Sequence, residues 1–226
     1  MSTSGKGNAQ ERKIFLLSPA QCGGKRAALL FNDRAAFELA RHIRRPEGAP
    51  LGEVFSFLSG LYFRGKLAYA RAFARPPRGN AGVLVITPNR GLVNPGDRLG
   101  LDGLRALAEV PISMSEPRYH EPLRRDVQQV ARSLGRKTEV VFLGSVATRK
   151  YLDILLESLE GRLVVPADFP GRGDMSRGGL LLRAVRQQTE LAYVPAAAVV
   201  RGTGAKSDGY GQKSQVGRPE KGSAAV

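Results

Sequence analysis

Two aspartates stand where chemistry is easiest to imagine. In VVPADFPGRGDMSRGG, residues 164–179, Asp168 and Asp174 lie among Gly171, Gly173, Gly178 and Gly179, with Arg172 and Arg177 beside them. Glycine removes side-chain cover, so a sugar-phosphate could approach the backbone closely there. A carboxylate in such a place can move a proton or face a developing positive charge. Simpler roles compete: Asp174 as the N-cap of the helix that follows, and Asp168 in a salt bridge to a neighbouring arginine. The stretch is not a dinucleotide fingerprint, because after Gly171 and Gly173 the third glycine, Gly178, comes two positions late.

Three other loops carry candidate groups. SPAQCGGKR (18–26) is not a Walker loop, since Pro19 and Arg26 break the pattern. Gly23 and Gly24 still open a helix with bare N–H groups, and Lys25 and Arg26 stand beside them, an arrangement suited to phosphate or simply to a tight turn. In TPNRGLVNPGD (87–97), Asn89 offers a donor and an acceptor to a base edge, or holds the turn, and Arg90 can meet a phosphate. In LGSVATRKY (143–151), Ser145 reads as an N-cap, and Arg149 and Lys150 follow in the first turns. A fifth segment, LSGLYFRGKLAYARAF (58–73), interleaves Tyr62, Phe63, Tyr69 and Phe73 with Arg64, Lys66 and Arg71. Such mixing can stack bases and bind phosphates, although the i, i+4 pair Tyr69 and Phe73 equally fits a core. Cys22 has no recognisable His–acid partner, and His42 and His120 are the only histidines, so neither thiol catalysis nor a metal site is expected. No cofactor is expected either.

The elements that must position these loops follow from periodicity. Apolar runs at 13–17, 83–87, 139–143 and 162–166, and a weaker one at 191–195, read as strands covered on both faces. Helical spacing appears in Leu123, Val127, Val130 and Leu134, in Ala147, Tyr151, Leu155 and Leu159, and after Asp174. Two more helices are expected near 25–44 and 52–74. Strands alternating with helices predict an α/β domain: three α/β/α layers around a mainly parallel sheet of four to five strands. The four loops then share the carboxyl edge of that sheet, where such folds place their sites.

Composition narrows the partners. The 226 residues suffice for one domain, 13–200, with a polar, disordered head at 1–12 and a flexible basic tail at 201–226. The formal net charge is +15, of which residues 1–13 carry +2 and the tail +3, so residues 14–200 are themselves basic at +10. Polyanions are the expected partners: DNA first, RNA as an alternative. Nothing approaches a membrane span, the opening residues lack the apolar stretch of a signal peptide, and one cysteine cannot form an internal disulfide. The expectation is a cytoplasmic, nucleoid-associated bacterial protein, assumed monomeric and not bound to membranes.

Taken in order, FLLSP with its glycine-rich helix start, LYFRGKLAYARAF, VITPNRGLV, VVFLGSVATRKY and PADFPGRGDMSRGG resemble the uracil-DNA glycosylase superfamily over residues 13–190. The similar branch is an outlying one. It includes the glycosylase-like domain of archaeosine tRNA-guanine transglycosylases and YaaA-type DNA-binding proteins. The Asp-Pro-Tyr and His-Pro-Ser elements of uracil glycosylases, and iron-sulfur cysteines, have no counterpart here. The resemblance therefore implies the superfamily's fold, affinity for nucleic acid and cleavage of the N-glycosidic bond of a modified or unusual base, in repair or antiviral defence.

Such cleavage builds positive charge on the sugar and negative charge on the leaving base, and it requires a flipped nucleotide in a shaped pocket. On that reading Asp174 or Asp168 is the carboxylate, and Asn89 and Arg172 are donors to the base. Tyr62, Arg64 and Arg177 contact the substrate. Lys25, Arg26, Lys66, Arg90, Arg149 and Lys150 bind phosphates. Two alternatives stand beside it: a non-catalytic nucleic-acid binder of the same fold, and an enzyme acting on free nucleosides or nucleotides.

Overall fold

The computed structural model describes residues 11–204 apart from 147, 148 and 160. In chain order the elements are β1 (Lys13–Leu17), α1 (Lys25–Phe31), α2 (Glu38–His42), β2 (Ala49–Pro50), α3 (Leu51–Ser59), α4 (Leu61–Phe73), β3 (Val83–Ile86), β4 (Leu92–Val93) and β5 (Arg98–Leu99). They continue with α5 (Leu101–Ala108), α6 (Pro117–Ser133), β6 (Glu139–Leu143), α7 (Arg149–Leu159), β7 (Leu163–Pro166), α8 (Asp174–Arg186), β8 (Tyr193–Pro195) and α9 (Ala196–Gly204).

The main sheet has six strands in the order β4-β3-β1-β6-β7-β8. Its four inner strands are parallel, while β4 and β8 join the two edges antiparallel. A separate antiparallel pair links β2 to β5. Every residue of β1 is buried, and alternate side chains go to opposite faces. Phe15 and Leu17 enter one hydrophobic core with α1 to α5 and α8, and Ile14 and Leu16 enter another with α6, α7 and α9. The same alternation runs through β6, where Val141 and Leu143 face the first core and Val140 and Phe142 the second. Apolar cover on both faces is what a parallel sheet connected by helical crossovers requires.

Several expectations change. The helix expected at 25–44 is two short helices, and the one at 52–74 breaks at Gly60, which has φ 61°. Only glycine accepts that conformation at little cost, and Arg26 covers the break by donating from Nη1 to the Phe57 carbonyl at 2.9 Å. The sheet gains a sixth strand, because the turn through Gly91 (φ 62°) folds β4 back along β3. Helix α9 extends to Gly204, so the domain passes the expected boundary at 200. The expected head, apart from residues 11 and 12, and the expected tail beyond 204 lie outside the described residues. Among the described residues no helix is long and apolar enough to cross a membrane.

Candidate functional site at the carboxyl edge of the sheet

All four loops meet at one cleft. It holds about 680 Å³ and is lined by residues 18–23 after β1, Pro88 after β3, Ser145 and Lys150 after β6, and Asp174 after β7. Leu58, Ser59 and Tyr62 from α3 and α4 form another part of its wall. Leu107, Ala108 and 110–112, at and beyond the end of α5, complete it with Tyr151. This is the carboxyl edge of the parallel strands, the place where open α/β sheets bind ligands.

Two glycines bring the cleft's charged groups together. Gly65 of α4 faces Gly178 of α8 so closely that a Cβ on Gly65 would stand 2.8 Å from the Gly178 carbonyl oxygen. One on Gly178 would stand 2.9 Å from Tyr62 Cα. Helix backbones can approach this far only where neither carries a side chain. The contact sets Tyr62 and Lys66 on α4 beside Asp174 and Arg177 on α8.

Asp174 is the first residue of α8 and does not cap it. Gly173 holds the N-cap position, without a side-chain hydrogen bond. The Asp174 carboxylate instead lies 3.6 Å from Arg177 Nη1, is largely exposed, and faces the cleft. Arg177 is 5% exposed; its Nε donates to the Phe169 carbonyl at 3.2 Å and its guanidinium lies over the Phe169 ring. It is therefore an interior cation beneath Asp174.

Lys66 is also interior, at 1% exposure, which removes it from the phosphate contacts expected of it. Its Nζ bonds to the Ser18 carbonyl oxygen at 2.6 Å and to Ser18 Oγ at 2.8 Å. The rings of Tyr62 and Phe63 flank it at 4.6 and 4.9 Å. Burial brings its pKa down to about 7; Asp174 opposes that shift and Arg177 assists it. Tyr62 is 5% exposed, with the Lys66 ammonium over its ring and Phe169 tilted against it, so it is a wall of the cleft more than an open stacking face. Burial pushes the Tyr62 hydroxyl up to about 12, against the pull of the neighbouring Arg177 guanidinium.

Other expected groups have structural partners. Asn89 Nδ2 donates to the Ala106 carbonyl at 2.8 Å, which ties the loop after β3 to α5; Asn89 thus reads no base edge in this arrangement. Arg172 donates to the Asp168 carbonyl at 2.8 Å and to Ser176 Oγ at 3.2 Å. Asp168 is exposed, does not line the cleft, and makes no ion pair among the described residues, so neither its catalytic nor its salt-bridge reading is met. Arg149 pairs with Asp153 at 3.0 Å. Lys25, Arg64 and Arg90 are exposed, and none lines the cleft. Ser145 lines the cleft, and the described part of α7 begins at Arg149.

Cys22 lines the cleft as a thiol. Its Sγ lies 3.5 Å from the Ala20 carbonyl, and burial pushes its pKa up to about 12, so no thiolate is available. No group of three or more His, Cys, Asp or Glu that could hold a metal ion occurs among the described residues.

Sequence reasoning missed Ser18 and Gln21 as cleft residues. It also missed the burial of Lys66, though the signal was present. Tyr62, Lys66, Tyr69 and Ala70 share a helical face, and Tyr69 on that face already read as core.

The fold and cleft define an α/β protein with a polar, cation-backed site at its carboxyl edge. No family model, curated protein or solved structure matches the chain.

Proposed function

We propose that the protein binds nucleic acid and hydrolyses the N-glycosidic bond of a modified base seated in the cleft, as a distant relative of uracil-DNA glycosylases. The observation that carries the reading is Asp174. Its carboxylate is uncapped, reaches the cleft where four loops converge, and is held over buried Arg177. A carboxylate there can orient water or face the positive charge that builds on the sugar. The cleft volume suits a single nucleotide more than a duplex, which calls for base flipping. The basic domain supplies the attraction for phosphate, and binding therefore weakens steeply with salt.

A non-catalytic binder is the second reading. The engagement of Asn89 and Arg172 with backbone carbonyls favours it, because both were candidate donors to a leaving base. Lys150 and Gln21 are among the polar groups that line the cleft and could take that role.

The test is a panel of modified-base oligonucleotides, scored for abasic sites by alkali cleavage. Asp174→Asn removes the charge while keeping the shape. With base release as the activity, the variant is expected to lose it by about 100-fold or more while folding and DNA binding persist. Full activity in Asp174→Asn would remove Asp174 from the chemistry. Absence of base release across the panel, with salt-sensitive DNA binding retained, would establish the binder.

A further inference from the structure

The floor of the cleft brings a hydroxyl and an amine into contact. Ser18 follows β1 directly, lines the cleft, and is fixed at both backbone groups: its N–H donates to the Leu143 carbonyl at 3.1 Å and its carbonyl accepts from Lys66. Its Oγ is the atom left to react, and Lys66 Nζ lies 2.8 Å from it. Lys66 has no carboxylate within ion-pair distance among the described residues.

The geometry around Nζ accommodates a neutral amine. Among the described residues two oxygens, both of Ser18, lie within hydrogen-bond distance of Nζ. A neutral amine fits with one N–H to the Ser18 carbonyl and its lone pair accepting the Ser18 hydroxyl proton. The flanking rings of Tyr62 and Phe63 favour the charged form, as does Asp174; full burial and the Arg177 cation disfavour it. The Tyr62 hydroxyl, itself buried and protonated, is the remaining titratable neighbour.

We propose that Ser18 and Lys66 form a nucleophile–base pair through which the cleft transfers acyl groups from ester-class substrates. This goes beyond the glycosidic reading and does not rest on it. In the first step Ser18 Oγ bonds to the carbonyl carbon while its proton passes to Lys66 Nζ. Collapse of the tetrahedral intermediate breaks the bond to the leaving alkoxide, which takes that proton back. Water then attacks the acyl-serine with the same amine as base, releasing the carboxylic acid and restoring the Ser18 hydroxyl. The apolar part of the wall, with Leu58, Leu107, Val110 and Ile112, suits the hydrocarbon portion of such a substrate.

The experiment uses the full chain and phenylmethanesulfonyl fluoride, with peptide mass mapping of the adduct and rates followed from pH 5 to 10. The expected result is one adduct on Ser18, with a rate that rises through a midpoint near pH 7, where Lys66 loses its proton, and then levels. Ser18→Ala should give no adduct at that position. Lys66→Met, checked for folding by circular dichroism, should label at least about 100-fold more slowly. No adduct on Ser18 in the unmutated protein, or an equal rate in folded Lys66→Met, would overturn the proposal. If Lys66→Met does not fold, the pH profile of the unmutated protein decides: a midpoint near 7 supports the pair, and a rise continuing to pH 10 overturns it.

Discussion

The two ends of strand β1 each keep a lysine out of water, and they do so in opposite ways. At the amino end, Lys13 is 4% exposed and is met by two carboxylates, Glu190 at 2.7 Å and Glu139 at 3.4 Å. Glu190 also pairs with Arg75 at 2.7 Å and accepts from the Tyr193 hydroxyl, which meets the Tyr69 hydroxyl. Burial opposes the charge on Glu190, but the hydrogen bonds from Lys13, Arg75 and Tyr193 hold its carboxyl below the usual range. At the carboxyl end, Lys66 is as buried and has a carbonyl and a hydroxyl in place of carboxylates. A closed, charge-matched network is what structure needs. A buried amine left without a carboxylate, at the floor of a cleft, is a feature associated with chemistry.

The largest expected effect lies at the structural end. Lys13→Met leaves Glu190 and Glu139 without their buried partner and should destabilise the fold by about 3 kcal/mol, read from denaturant midpoints at pH 7. Because Glu190's pKa is lowered on folding, its contribution is present above the ordinary glutamate range and is lost as pH falls through its folded pKa. The cost of Lys13→Met should therefore shrink in acid. An equal cost at every pH would mean that the network does not depend on Glu190's charge.

A smaller effect is expected where the two glycines meet. Gly178→Ala sets a Cβ 2.9 Å from Tyr62 Cα and 3.0 Å from the Leu61 backbone, atoms that cannot swing aside. Separation of α4 and α8 should cost about 2 kcal/mol by thermal unfolding. It should also move Asp174 and Arg177 away from Tyr62 and Lys66, so that nucleic-acid or substrate affinity changes while the Lys13 network does not. A neutral Gly178→Ala would show that the helices are not held at contact distance.

How much of this was readable in the sequence depends on how local its causes are. KIFLL and EVVFL announce strands because burial on both faces leaves no polar residue within them except at their ends. The convergence of four loops follows from parallel strands alone, since every crossover returns to the same edge. The two-residue strands β2, β4 and β5 were not readable, because two residues show no periodicity. Nor was the break at Gly60, since glycine within a helical pattern does not disclose a positive φ. Capping competed with chemistry for Asp174 because the helix start is local, but which of two adjacent residues caps it is settled by backbone angles at Gly173. Asn89 and Lys66 were misread for a tertiary reason. Their partners, Ala106 and Ser18, lie 17 and 48 positions away in the chain.

The direct measurement of the contrast is a titration of the lysine side chains by 13C NMR at Cε, with the Lys66 signal assigned by its loss in Lys66→Met. The account predicts a Lys66 midpoint near pH 7, because burial without a carboxylate partner disfavours the ammonium. Since this pKa is lowered on folding, the unmutated protein should also gain stability relative to Lys66→Met as pH rises from about 7 toward the free-lysine value of about 10.4. A Lys66 that keeps its proton to about pH 10, as a free lysine does, would contradict the account and leave both ends of β1 with the same kind of structural cation.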